Sequence, residues 1–171
     1  LKVNFRNTIG SNLLYTNFTS LSGTVNNVSY FSFLNYKKGD GFRPNSNFES
    51  INFFLNTTLS LTNKIKTSFE LTYLTYLAKQ PGGLTDEMFY ENLFQSNRAR
   101  NWFKIDWLLY NLKLNYKINK KENLNINVFA LDANRFSLGY RNSQVYLADP
   151  LGERDLIKGY FNNYGLETRY L

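Results

Sequence analysis

Between residues 108 and 118 the chain alternates without a break. Leu108, Tyr110, Leu112, Leu114, Tyr116 and Ile118 fall on one parity, and Leu109, Asn111, Lys113, Asn115 and Lys117 on the other. Side chains of a strand point to opposite faces in turn, so this stretch has one apolar and one largely polar face. It covers about the 9–11 residues with which a tilted strand crosses a bilayer. Tyrosines near both ends of the apolar face suit a boundary between polar and apolar surroundings. A soluble sandwich presents the same alternation, so this strand alone leaves the solvent open.

The same period recurs elsewhere. Val3, Phe5 and Ile9 predict a first strand closed by a tight Gly10-Ser11 turn, and residues 12–20 a second. A short turn around Ser22-Gly23-Thr24 leads to a third over 27–36, where Tyr30-Phe31-Ser32-Phe33-Leu34 puts aromatics on both sides. The fourth sets Ile51, Phe53, Leu55, Thr57, Leu59 and Leu61 against Asn52, Phe54, Asn56, Thr58 and Ser60. The fifth sets Phe69, Leu71, Tyr73, Thr75 and Leu77 against Ser68, Glu70 and Thr72. The sixth is the 108–118 run extended back to Trp102. The seventh sets Leu124, Ile126, Val128 and Ala130 against Asn125 and Asn127, and an eighth begins near Tyr164. Within the irregular stretch 79–101, Thr85 is placed to cap a short helix, with Asp86 and Glu87 favourable in its first turn.

Connection lengths choose between the two solvents. Those near 21–26, 62–65 and 119–123 are short, and those near 37–47, 79–101 and 138–163 are long. Outer-membrane barrels have this rhythm, with short periplasmic turns and long extracellular loops. The expected fold is therefore all-β: an antiparallel transmembrane β-barrel segment of about eight strands.

Composition adjusts this picture in three ways. Mean hydropathy is −0.42, and no apolar run approaches the roughly 18 residues of a membrane helix. Neither opposes a barrel, whose strands place half their residues on a polar lumen. The chain has no Cys and no His. That removes thiol nucleophiles, disulfides, His-based triads and the usual zinc sites. No pair of carboxylates is placed for glycoside chemistry, so no enzyme, no cofactor and no directly bound metal is expected. Net charge is +7, which suits nucleic acid, an anionic ligand or anionic headgroups. No dense basic run marks a nucleic-acid arm, so no nucleic-acid partner is expected. Lys64, Lys66, Lys120 and Lys121 fall at turns, where solvation suffices to explain them. The chain opens strand-like at Leu-Lys-Val-Asn-Phe, without initiator Met or signal peptide, and stops inside another strand pattern. It reads as a piece of a longer chain.

The long loops carry more specific patterns. Lys79-Gln80-Pro81-Gly82-Gly83-Leu84-Thr85-Asp86-Glu87-Met88-Phe89 is followed by Gln95-Ser96-Asn97-Arg98-Ala99-Arg100-Asn101-Trp102-Phe103-Lys104, and later by Ala148-Asp149-Pro150-Leu151-Gly152-Glu153-Arg154-Asp155-Leu156-Ile157. The earlier loop, 37–46, contains Gly39-Asp40-Gly41-Phe42-Arg43. In order and over nearly the whole chain, these resemble TonB-dependent outer-membrane receptors of the ferric dicitrate transporter type found in Bacteroidetes. The resemblance implies a barrel of about twenty-two strands with a plug inside, in the bacterial outer membrane. These residues would form about its first third, with the plug, the TonB-contacting segment and the remaining strands absent. It further implies active uptake of an iron chelate, ferric citrate first, with the iron held through its chelator. The implied partners are that chelate, the receptor's own plug, the TonB complex through the missing N-terminal region, and outer-membrane lipid. Another siderophore, haem, a vitamin or an oligosaccharide are alternative cargoes, and a soluble carbohydrate-binding β domain is an alternative class.

Ferric citrate is anionic and rich in carboxylate oxygen, which the planar fork of Arg binds through two parallel bonds. Arg98 and Arg100 stand at the strand end of the longest central loop and would share a face if extended. Arg135 and Arg141 flank the top of the seventh strand, and Arg43 lies in the first long loop. Together they form a candidate positive funnel at the mouth. Gln95 and Asn97 are placed to bond ligand hydroxyls or loop backbone. The opposing reading pairs these arginines with lipopolysaccharide phosphates or with Glu87, Glu91, Asp106, Asp149, Glu153 and Asp155, and Arg154, between two acids, reads as structural. Gly82 and Gly83 after Pro81 predict a tight turn, without the Lys-Ser/Thr of a P-loop. Lys113, Asn115 and Lys117 are expected to face lumen or plug. Trp102 and Trp107 read as anchors of strand ends.

Overall fold

The computed structural model describes all 171 residues. Eight strands form one antiparallel sheet in chain order: β1 (Lys2–Gly10), β2 (Leu14–Val25), β3 (Val28–Gly39), β4 (Phe48–Ser60), β5 (Ile65–Lys79), β6 (Trp102–Lys117), β7 (Asn123–Leu138) and β8 (Ile157–Tyr170). One short helix, α1 (Asp86–Glu91), interrupts the β5–β6 connection. Thr85 caps it as expected, its hydroxyl accepting from Met88 N at 3.3 Å.

Register fixes two unlike faces. Phe31, Asn56, Glu70, Asn111 and Phe129 lie opposite one another across five strands. Leu34, Phe53, Tyr73 and Leu108 do the same on the other face. The ambiguity in the third strand is thereby settled. Phe31 and Phe33 share the Asn111 face, where they cluster with Phe18 and Phe54 at ring separations of 5.5–6.1 Å. Glu70 organises the polar part of that face, accepting from Asn56 at 3.1 Å, Asn111 at 3.0 Å and Lys113 at 2.9 Å. Gly165 stands opposite Phe129, whose ring lies 2.3 Å from where a Cβ would be, so the absent side chain makes room for the aromatic.

Only 6 of 171 residues are buried, and Ala133 is the single buried hydrophobic residue. Backbone pairing holds the sheet, with 108 backbone hydrogen bonds, while the apolar face lies open. Leu34, Phe69, Leu112 and Val128 on that face are between 36% and 51% exposed. A soluble monomer rarely leaves such a continuous apolar surface uncovered. No helix is long and apolar enough to cross a membrane.

Several boundaries differ from expectation. β2 runs on through Ser22-Gly23-Thr24 to Val25, and the turn is Asn26-Asn27, where Asn26 adopts φ +52°. β3 continues to Gly39, so the first long loop is 40–47. β8 begins at Ile157, seven residues before Tyr164, shortening the last loop to 139–156. The β1–β2 turn, 11–13, lies at the same end as the long loops, so that end carries three long connections and one short one.

Candidate functional site

The three long loops fold together over one end of the sheet. A cavity of about 520 Å³ beneath them is lined by Tyr76, Pro81, Arg98, Phe103, Tyr140 and Val145, among others. Tyr76 and Phe103 share strand parity with Thr72 and Asn111 and so belong to the Asn111 face. The loops therefore cap the polar side of the sheet and leave the apolar side bare.

Arginine and asparagine cross-link this cap. Arg43 reaches from loop 40–47 into loop 80–101, donating through Nε to Gln95 O and through Nη1 to Gly82 O, both at 2.9 Å. Asn45, at φ +58°, donates to Asn101 O at 3.0 Å, to Gln80 O at 3.2 Å and to Arg98 O. Asn97 donates to Val145 O and Tyr146 O, joining loop 80–101 to loop 139–156. Asn101 is buried and both donates to Tyr140 O and accepts from Tyr140 N. Gln95 turns inward onto Met88 O at 2.6 Å.

Arg98 is the most buried cation, 4% exposed. Its Nη1 donates to Leu147 O at 2.6 Å and Asn97 O at 3.0 Å, and its Cζ lies 4.8 Å from the centre of the Tyr140 ring. Arg154 places its Cζ 4.9 Å from the same ring. Gly82, at φ +80°, lets Arg98 through: a Cβ there would lie 2.6 Å from Arg98 Cγ. Arg100 takes another course. Residues 98–101 are not extended, so Arg98 and Arg100 do not share a face, and Arg100 pairs with Asp149 at 3.0 Å and with Gly152 O. Arg154 pairs with Asp149 at 2.8 Å, as its structural reading implied. The Arg100 guanidinium, with help from Leu151 N and Arg154, holds the Asp149 carboxyl down to about 2 against the cost of desolvation.

Two of the predicted arginines stay outside this scaffold. Arg135 lies on the Asn111 face, opposite Ile105, and rests its guanidinium 4.9 Å from the Phe103 ring centre. Arg141 folds back onto Ser137 Oγ at 3.0 Å, on that same face. Both are exposed, and neither forms an ion pair. Of the six predicted ligand residues, Arg43, Gln95, Arg98 and Arg100 are thus engaged in holding the loops. Arg135 and Arg141 retain free N–H donors. Asn45, Asn101 and Tyr140 escaped prediction, because their roles depend on carbonyls brought close only by the fold.

No protein-family model matches the chain. TonB-dependent receptor P26 of Formosa agariphila is 34% identical over 74 residues, which is 43% of this chain and 7% of that protein. The ferric citrate transporter FecA, solved in its unliganded form, matches in fold with a TM-score of 0.79 at 18% identity, over 98% of this chain and 24% of its own. The eight strands have the fold of a portion of that transporter's barrel wall. The matched regions are a small part of either protein's length. On such a barrel wall the Leu112 face meets lipid, the Asn111 face meets the lumen, and the cross-linked loops cover the lumen mouth.

Proposed function

We propose that this barrel wall belongs to an outer-membrane TonB-dependent receptor that takes up an iron chelate, with ferric citrate as the cargo. The observation that carries this reading is the pair of exposed arginines without ion pairs, Arg135 on the Asn111 face of β7 and Arg141 in loop 139–156, where it folds back onto Ser137. Stacking on Phe103 occupies the flat face of the Arg135 guanidinium and leaves its N–H edge for a carboxylate. The cross-linking arginines build the cap, and the free ones meet the anion. On this reading the iron stays within its chelator and is not ligated by these residues. The receptor's plug would fill the lumen against the Asn111 face, and the TonB complex would act through a region outside these residues.

Uptake of radiolabelled ferric citrate by cells that depend on the full-length protein tests this. Charge-assisted hydrogen bonds are worth roughly 1.5–3 kcal/mol each. Replacing Arg135 and Arg141 with Ala is expected to weaken half-saturation by at least about tenfold. Absence of citrate-dependent iron uptake by the unaltered protein would overturn the proposed cargo.

A second reading, an oligosaccharide cargo, draws on Phe89, Tyr90 and Tyr146, which are 52%, 85% and 56% exposed on the loops. Such rings stack on sugars. Competition between labelled oligosaccharide and ferric citrate in the same cells separates the two.

A further inference from the structure

Five lysines crowd two neighbouring turns at the short-turn end of the sheet. Lys64 and Lys66 stand at the β4–β5 turn, and Lys117, Lys120 and Lys121 at the β6–β7 turn. The turns adjoin, because Lys117 N donates to Lys64 O at 2.8 Å and Lys64 Nζ donates to Ile118 O at 3.3 Å. All five side chains are exposed, and none takes part in an ion pair. The acid in these turns, Glu122, is engaged by the Asn119 side chain.

The opposite end of the sheet is arranged differently. There Lys104 is bridged to Asp106 at 3.0 Å, Arg100 and Arg154 share Asp149, and Lys38 stands opposite Glu49 in the register. Acids pair with three cations at the long-loop end, Arg100, Arg154 and Lys104, whereas no acid pairs with any of the five turn lysines at the short-turn end. Like charges held together repel, and an anion from outside the chain would relieve that repulsion.

Position decides which anion. Ile65, Tyr116 and Leu124 lie opposite one another as the last row of the lipid-facing surface at this end. The turn lysines follow within a few residues, at the level where hydrocarbon gives way to headgroups. Clustered lysines beside a membrane anchor recognise anionic headgroups, each lysine contributing about 1 kcal/mol near the surface.

We propose that this cluster is a docking surface for anionic phospholipid headgroups in the leaflet that the short turns meet. Lys64, Lys120 and Lys121 make the contact. Lys66 and Lys117, on the lumen face by strand parity, add to the local potential. The proposal rests on the reading of the chain as lipid-embedded barrel wall.

Native mass spectrometry of the full-length protein tests it, in detergent carrying equal amounts of phosphatidylglycerol and phosphatidylcholine. The unaltered protein is expected to retain phosphatidylglycerol preferentially. Lys64→Gln, Lys120→Gln and Lys121→Gln together are expected to lower that preference by about tenfold or more. Lys38→Gln with Lys158→Gln, at the other end, is expected to leave it unchanged. Raising salt to about 1 M, where the Debye length falls to about 3 Å, is expected to reduce it. Equal retention of both lipids, or full preference in the triple variant, overturns the proposal. So does a triple variant that keeps its lipid preference but loses binding to a polyglutamate peptide, which reassigns the cluster to an acidic protein partner. Recovery of the protein in the outer-membrane fraction is scored separately, so failure of the barrel reading is distinguishable from failure of the lipid site.

Discussion

Replacing Asp149 with Asn isolates the tie between loops 80–101 and 139–156. Asp149 is 3% exposed at its side chain and accepts from Arg100 at 3.0 and 3.3 Å, from Arg154 at 2.8 Å and from Leu151 N at 2.9 Å. Asn preserves the shape and removes the charge, leaving two guanidiniums without a counter-ion. Truncating one member of a fully buried pair costs about 3–5 kcal/mol. Arg100 is 35% exposed, so solvent screening brings the figure here to about 2–3 kcal/mol of local stability. Hydrogen exchange reads this directly as the free energy of local opening. The amides of Asp149 and Leu151, bonded to Asn97 O and Asp149 Oδ1, are expected to exchange roughly 30- to 150-fold faster in the variant. The pH dependence follows from the direction of the shift. The folded carboxyl titrates at about 2, below its free value of about 3.9. Its contribution is fully present above about pH 4 and is lost as pH falls through about 2. The variant's effect is therefore expected to be constant between pH 5 and pH 8. Unchanged exchange at neutral pH would falsify the view that this triad holds the loops together.

The arginines divide into two groups with different expected phenotypes. Arg98→Ala removes two hydrogen bonds from a charged donor and one cation–π contact, for a loss of about 2–4 kcal/mol in loop stability, read as faster exchange across loop 139–156. Arg135→Ala with Arg141→Ala is expected to lower ferric citrate uptake while leaving that exchange unchanged. Gly82→Val places a branched side chain at φ +80° against Arg98 and is expected to expose the loop to limited proteolysis; a resistant variant would remove the close-approach argument. Leu112→Lys puts a charge on the lipid face, at a cost of about 2–4 kcal/mol near the bilayer midplane, and is expected to reduce recovery in the outer membrane. Asn111→Lys, one residue away on the lumen face, is not. Equal recovery of the two variants would refute the assignment of faces, and loss in Asn111→Lys alone would reverse it.

What was legible in the sequence depended on whether both strand faces kept one character. In β6 the period-two contrast over 108–118 read directly as an apolar and a polar face. Near the long loops that contrast fails for a physical reason. Thr75, Lys104, Asp106, Asn134 and Lys158 all lie on the lipid-facing side by register, yet they are polar because the strands have left the apolar band there. The start of β8 at Ile157 was obscured in this way, since Lys158 and Asn162 gave no apolar signal. The β2–β3 turn was displaced for a different reason. Gly23 reads as a turn residue, but it sits in mid-strand opposite Tyr30, whose hydroxyl oxygen lies 2.6 Å from where a Cβ would be. The missing side chain accommodates a neighbour's ring and turns nothing.

The candidate site was legible as chemistry but not as assignment. An Arg that cross-links loop carbonyls and an Arg that meets a ligand carboxylate use the same donor fork, so residue type cannot sort them. Surroundings do. Arg98 is locked in place because Gly82 lacks a side chain, Tyr140 supplies a ring and Leu147 turns its carbonyl inward, all of which lie far from it in sequence. Arg135 and Arg141 remain free because their nearest partners, Phe103 and Ser137, are uncharged. The two groups depend on each other. An anion arriving at the mouth is drawn by the whole positive field, since field strength does not require a free donor. Among the arginines near the long loops, only the exposed pair offers hydrogen bonds without dismantling the cap. Removing a buried arginine should therefore alter uptake through loop order, and removing an exposed one through affinity. Measuring exchange and uptake on the same variants separates the two effects, which neither assay does alone.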